Sequence, residues 1–272
     1  MSHDLTLTEV ANRLGVHYMT AYRYVRTGRL VARQDGAQWL VDDDEVARFE
    51  ASRSAAFRGV SKGPVRRSSI DRLTARLVAG DEAGSWAIAL EALAGGASAT
   101  RVYVDLFAPA MRTIGERWAD GRLTVADEHR ATVVMYRLVG RMGPQFRPRG
   151  PHVSTVMVGA PSGERHGLPV AMVADMLRAE GFDVVDLGAD VPNDAFTAHA
   201  ATTKNLRAAV ISVTAAQHRA SAASLVRTLR ASGVSVPIIV GGAALSEADA
   251  VAMAADHWAP NVEGLVTLLR SI

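Results

Sequence analysis

Eight histidines and no cysteine occur in this sequence, so any metal bound through side chains must rest on His, Asp or Glu. Disulfides, thiolate zinc sites, cysteine-ligated iron–sulfur clusters and a cysteine nucleophile are excluded. One histidine has a partner in reach. His166 follows Glu164 by two residues in the run Ser162-Gly163-Glu164-Arg165-His166-Gly167-Leu168-Pro169. A carboxylate so placed can accept the ring N–H, fix the tautomer and raise the basicity of the other nitrogen. Two further runs, Ser212-Val213-Thr214 and Gly241-Gly242, put small or polar residues where a ligand could approach the backbone. Trp118 and, after nine intervening residues, Glu128-His129 make the last set. Singly, these have ordinary readings: a surface histidine, a bundle-core tryptophan, a polar pair on a helix. His152, His199, His218 and His257 lack comparable partners and read as solvated or structural.

These residues need elements to hold them. From residue 152 onward, β-rich apolar runs at Val153–Gly159, Val184–Leu187, Ala208–Val213 and Val236–Val240 alternate with helical segments. That alternation predicts a parallel sheet covered on both faces, a flavodoxin-like or Rossmann-like domain over residues 152–272. Ligands of such sheets bind beyond the C-terminal strand ends, near the point where strand order reverses, and the runs at 162–169, 212–214 and 241–242 all fall there. The turns could instead cradle a nucleotide phosphate, but no GxGxxG or GxxxxGK[ST] run is present.

Residues 69–147 read as four helices joined by short loops, with Gly80, Gly95-Gly96 and Gly121 as breaks and Ser98 and Thr124 as N-caps. Residues 1–54 open with a helix from about Leu5, capped by Thr6 or Thr8. A second helix over Tyr18–Thr27 follows, then a hairpin turning at Asp35-Gly36, then a helix from Asp42. That outline is a winged helix-turn-helix. Its second helix would offer His17, Tyr18, Thr20, Tyr22, Arg23 and Arg26 to a DNA groove, and its wing Arg33 and Gln38; the alternative is a small protein-binding helical domain. Residues 55–68 and Gly143–Pro151 read as linkers, so the chain is expected to be multidomain.

Composition sets the outer bounds. With 272 residues, 49% of them apolar, the chain can bury real cores. No run of eighteen apolar residues suggests a membrane span, and MSHDLTLTEV lacks the features of a signal peptide, so cytoplasm is the expected location. Basic residues exceed acidic ones only in the first two thirds, which permits nucleic-acid contact there without proving it.

Glu164-x-His166-x-x-Pro169, then Ser212-x-Thr214, then Gly241-Gly242, resembles the cobalamin-binding signature Asp-x-His-x-x-Gly, Ser-x-Leu, Gly-Gly of methionine synthase and its relatives. The resemblance implies that His166 is the lower axial ligand of cobalt, that Glu164 hydrogen-bonds its far nitrogen, and that Gly167, Ser212, Thr214, Gly241 and Gly242 line a channel for the cofactor's nucleotide tail. A side chain at Gly241 or Gly242 would then fill that channel. Glu164 and Pro169 depart from the pattern; a proline is tolerated in a helix's first turn.

Trp118 with Glu128-His129 resembles the Trp-x9-Glu-His pattern of the helical bundle in CarH and LitR, light-responsive transcriptional regulators that use adenosylcobalamin. That likeness implies a bundle capping the upper corrin face, a MerR-like or excisionase-like head on double-stranded operator DNA, a dimer or tetramer, and no enzymatic activity. In the best-described CarH-type proteins a histidine follows the motif tryptophan; this chain has Ala119, which cannot ligate a metal. The expected function is therefore a cobalamin-dependent, light-responsive regulator, a repressor in sign. Two alternatives stand beside it: a corrinoid methyl carrier of a methyltransferase system, and a regulator sensing cobalamin level, redox state or a second chromophore.

Overall fold

A computed structural model describes residues 4–14, 18–26, 30–36, 38–49, 66–146 and 154–272. The chain divides into two units, Met1–Pro64 with Ala92–Ser98 and Val65–Glu91 with Ala99–Ile272. In the first, the described residues open with a strand. β1 (Asp4–Thr6) pairs antiparallel with β3 (Gln38–Asp42), placing Leu5 opposite Val41. Helix α1 (Leu7–Leu14) begins only after it, because Thr6 and Glu9 cap each other there: the Thr6 N–H donates to the Glu9 carboxylate at 2.8 Å, and the Glu9 N–H to Thr6 Oγ1 at 3.4 Å. Helix α2 spans Tyr18–Arg26. Strand β2 (Arg33–Asp35) pairs with β3 so that Asp35 faces Gln38. Asp35, expected in the turn, thus belongs to β2, and Gly36 after it supplies φ +60. A helix, α3, covers residues 43–49. Val10, Leu14, Ala21, Val25, Leu30, Val41 and Val46 form this unit's core.

The larger unit begins with a helical bundle. Helix α4 (Arg67–Ala79) starts two residues inside the expected linker and ends on Gly80 at φ +74. Then come α5 (Glu82–Ala94), α6 (Ala99–Val102), a π-helical turn (Tyr103–Phe107), α7 (Ala108–Ala119) and α8 (Val125–Met142). Thr124 and Asp127 form a reciprocal cap at the start of α8. The proline-rich stretch expected as a second linker starts as structure: Gly143–Phe146 is a 3-10 helix, and Phe146 is buried with its ring centroid 4.6 Å from that of Tyr103. The buried Tyr103 hydroxyl donates to Asp175 Oδ2 at 2.8 Å on the far side of that boundary. Burial and the Asp175 charge push this phenol up, out of its ordinary range. The two pieces that the sequence divides thus share one packed unit.

The second half of this unit is an all-parallel five-stranded sheet: β4 (Thr155–Gly159), β5 (Asp183–Asp186), β6 (Leu206–Ser212), β7 (Ile238–Gly241) and β8 (His257–Ala259). Its crossover helices are α9 (Gly167–Ala179), α10 (Asn193–Thr202), α11 (Arg219–Ala231) and α12 (Glu247–Met253), and α13 (Val262–Ser271) closes the chain. The order is β5-β4-β6-β7-β8, flavodoxin-like, with the reversal between β4 and β6. Separate apolar cores cover the two faces, one around Met157, Ile211 and Leu225, the other around Val158, Val170 and Leu177. The sequence reading missed β8 and α13; a three-residue edge strand carries too little pattern to be read. Among the described residues no helix is long and apolar enough to cross a membrane.

Candidate functional site

His166 sits directly before α9, on the loop that leaves β4 at the reversal point. The fold explains why this loop is stiff. Glu164 is fully buried, and its Oε2 accepts the N–H groups of Thr214 at 2.8 Å and Ala215 at 2.9 Å from the loop after β6. Its Oε1 accepts the backbone N–H of His166 at 3.1 Å and faces the ring Nδ1. Burial alone would raise this carboxyl, but the N–H of Ala215, the ring and backbone of His166 and the N–H of Thr214 together hold it below the ordinary carboxylate range. An ionised carboxylate can only accept, so Nδ1 carries the proton and the lone pair of a neutral ring is on Nε2. The His166 side chain is 54% exposed, so that nitrogen is accessible. The result is one directed, pre-oriented nitrogen donor at the strand ends.

A corrin fits that donor set. Among the described residues no group of three or more His, Asp and Glu could hold a metal ion. A corrin brings its own equatorial nitrogens and needs one protein ligand. A Cβ on Gly241 would lie 2.8 Å from the Ala259 carbonyl oxygen, and one on Gly242, at φ +104, would lie 2.8 Å from backbone atoms of Val213. Strand packing therefore demands glycine at both positions, and the pair is not by itself a mark of a ligand channel. Ser212 ends β6 opposite Gly241, and Thr214 takes part through its N–H.

The upper set is more loosely held. Trp118 closes α7 at 50% exposure, and Glu128-His129 lies in the first two turns of α8, across the 120–124 loop. His129 Nδ1 faces Glu128 Oε2 at 2.6 Å, and Thr132 donates to Glu128 Oε1 at 2.7 Å. Among the described residues no hydrogen bond or ion pair joins this set to the strand ends. What connects them is Tyr136, which the sequence reading missed. It lies seven residues after His129, about two turns along the same face of α8. Its hydroxyl lies against Gly167, where a Cβ would collide with it, while the Gly167 N–H itself donates to the Arg165 carbonyl at 3.0 Å. Burial first, then Asp186, raise this phenol, and the Gly167 N–H only partly offsets them. Val125 and Val133 on this stretch of α8 are exposed, so together with Trp118 the bundle presents apolar surface.

Of the residues expected to meet DNA, His17 lies outside the described residues, while Tyr18, Thr20, Tyr22, Arg23 and Arg26 belong to α2 or begin it. Tyr22 packs partly against the core, which weakens its case as a surface contact. Arg33, which opens β2, pairs with Asp4 Oδ2 at 2.5 Å and Asp35 at 3.7 Å. Gln38 opens β3 and is exposed.

Comparison with known proteins agrees with this layout. Residues 69–142 match a family model described as B12 binding domain, residues 154–264 match a second model of that description, and residues 5–54 match a helix-turn-helix domain. The trimethylamine corrinoid protein 1 of Methanosarcina acetivorans is 27% identical over 199 residues, covering 71% of this chain and 91% of that protein. The dimethylamine corrinoid protein of Methanosarcina barkeri is 28% identical over 172 residues, covering 61% of this chain and 79% of that one. The solved monomethylamine corrinoid protein of Methanosarcina barkeri has the same fold, with a TM-score of 0.66 at 23% identity, over 76% of this chain and 99% of that one. This is a cobalamin-binding protein with a helix-turn-helix domain, built from a helical B12-binding cap and a parallel-sheet, Rossmann-like cobalamin-binding domain.

Proposed function

We propose that the chain holds a corrinoid between bundle and sheet and uses the state of its upper face to control a DNA-binding head, as a transcriptional regulator and not an enzyme. His166 Nε2 would be the protein's ligand to the corrinoid cobalt, and Glu164 holds the ring. Trp118, Glu128 and His129 border the upper ligand, for which the adenosyl group is the candidate and light the candidate trigger. When bound, the cofactor supplies a cobalt–carbon bond that can be made or broken. The residues do the rest: the apolar face of α8 would pack against the cofactor's ligand, and Tyr136 sets that helix against the residue after His166. With that ligand gone, the exposed apolar side chains of α8 would lose a packing partner, and differential packing is what can shift a conformational equilibrium. The observation that supports a DNA-binding role is the helix-turn-helix match at residues 5–54. Nearly the whole monomethylamine corrinoid protein is matched within three quarters of this chain.

A second reading is favoured by the relatives. They are corrinoid proteins named for methylamines, and on those comparisons carriage of a methyl group between methyltransferases is better supported than regulation. In that case the same His166 site holds the corrinoid while partner enzymes load and unload it. One pair of measurements separates the two. Retardation of a promoter fragment by the holoprotein, changed by green light, supports regulation; methyl transfer from a partner enzyme with no DNA binding defeats it. Dimer or tetramer formation that depends on the corrinoid accompanies the first reading.

A further inference from the structure

We infer that Asp190, on the loop between β5 and α10, is a positioning residue for His166, clamping the loop from which the imidazole projects. The inference rests on the corrinoid site proposed above. Asp190 Oδ1 accepts the N–H of Gly163 at 2.6 Å, and the Asp190 N–H donates to the Glu164 carbonyl at 2.8 Å. The two bonds bracket the backbone leading into Glu164 and His166. They belong to a strap between the two strand ends. The N–H of Ala160 donates to Gly188 at 2.9 Å, the N–H of Val191 donates to Ala160 at 3.0 Å, and Pro161 bridges Val191. On the other side the Glu164 carboxylate is gripped by Thr214 and Ala215 of the β6 loop. The histidine loop is thus held by both neighbouring strand ends, and Asp190 is the side chain that the β5 side contributes.

The backbone of Asp190 argues that its carboxylate matters. Its φ is +56, a left-handed conformation that glycine adopts more cheaply than any side-chain-bearing residue. Glycine already serves that need at Gly188, φ +71, in the same loop. What aspartate adds over glycine at this position is an acceptor for the N–H of Gly163, itself at φ +88. Asp190 is exposed, so losing that acceptor leaves the cores intact while freeing the loop.

The full-length chain with Asp190→Gly and Asp190→Asn tests this, using hydroxocobalamin as the probe. Asp190→Gly should melt no lower than the parent, because glycine relieves the backbone. In the cofactor-free protein its Gly163 amide should exchange about tenfold faster, the loss expected for one charge-assisted hydrogen bond. After loading, its absorption spectrum should shift toward the form without histidine coordination. Asp190→Asn keeps an amide oxygen and tolerates left-handed φ, so it should restore both readouts. Parental exchange and a parental spectrum in Asp190→Gly overturn the inference, as does a parallel fall of melting temperature and spectrum in both variants, which would mean a merely structural role. A parent chain that takes up no hydroxocobalamin fails the underlying site reading as well; a parent that does so, with Asp190→Gly indistinguishable from it, fails this inference alone.

Discussion

Among the described residues the strand ends and the bundle each carry a carboxylate–imidazole pair, and the pairs are built differently. At the strand ends, Glu164 is fully buried, accepts backbone N–H groups from a second loop and holds His166 by backbone and ring alike. On the bundle, Glu128 keeps 26% of its side chain exposed and is supported by one threonine hydroxyl, and His129 is 73% exposed. Both arrangements leave Nε2 free, yet only the first fixes its direction. Buried acceptors with several preorganised donors resist reorientation, whereas an exposed pair on one helix can change rotamer at little cost. The contrast suits a permanent ligand below and an exchangeable neighbour above.

Substitutions can break this contrast, and the largest effect is expected at Glu164. Glu164→Ala leaves the Thr214 and Ala215 N–H groups without an acceptor and should cost about 2–3 kcal/mol in urea unfolding; it should also abolish retention of hydroxocobalamin. A variant that unfolds like the parent would mean the carboxylate anchors nothing. Thr124→Ala removes the cap of the helix that carries the second pair and should cost about 1 kcal/mol by the same measurement. The Thr124 side chain and N–H lower the carboxyl of Asp127 beneath its ordinary 3.8. That contribution should be complete above this value and fade as the pH falls through the lowered one, and a flat acid limb would disprove it. His166→Ala removes the ring's hydrogen bond to the buried Glu164 carboxylate but leaves its backbone donors, and should cost up to about 1 kcal/mol while changing the cobalt spectrum. An unchanged spectrum would show that the lower ligand is misassigned. Smallest of all, His129→Ala should leave stability and lower coordination alone and alter only the preference among upper ligands, read by competition between adenosylcobalamin and hydroxocobalamin.

Much of the site was readable because its chemistry is local. The two-residue step from Glu164 to His166, the nine residues between Trp118 and Glu128, and the alternation of apolar runs with helices are properties of the chain. The winged outline was read with errors where pairing competes with propensity: β1 takes Leu5 away from α1 because Val41 lies across from it. At Gly241 and Gly242 the structure adds a second demand for glycine that the sequence could not show, the nearby backbone of Ala259 and Val213. Tyr136 and Asp190 gave no signal at all, because each matters through a partner distant in sequence.

By itself, the sequence determined which side chains could bind a metal, the local spacing that pairs them with carboxylates, and the periods that build a bundle and a parallel sheet. Tertiary structure alone decided that the chain reverses between β4 and β6, that Glu164 is anchored from a loop fifty residues away, and that bundle and sheet pack as one unit through Tyr103 and Asp175. The physical reason is that spacing fixes only short-range geometry, whereas burial and hydrogen-bond satisfaction depend on which distant segments the folded backbone brings together.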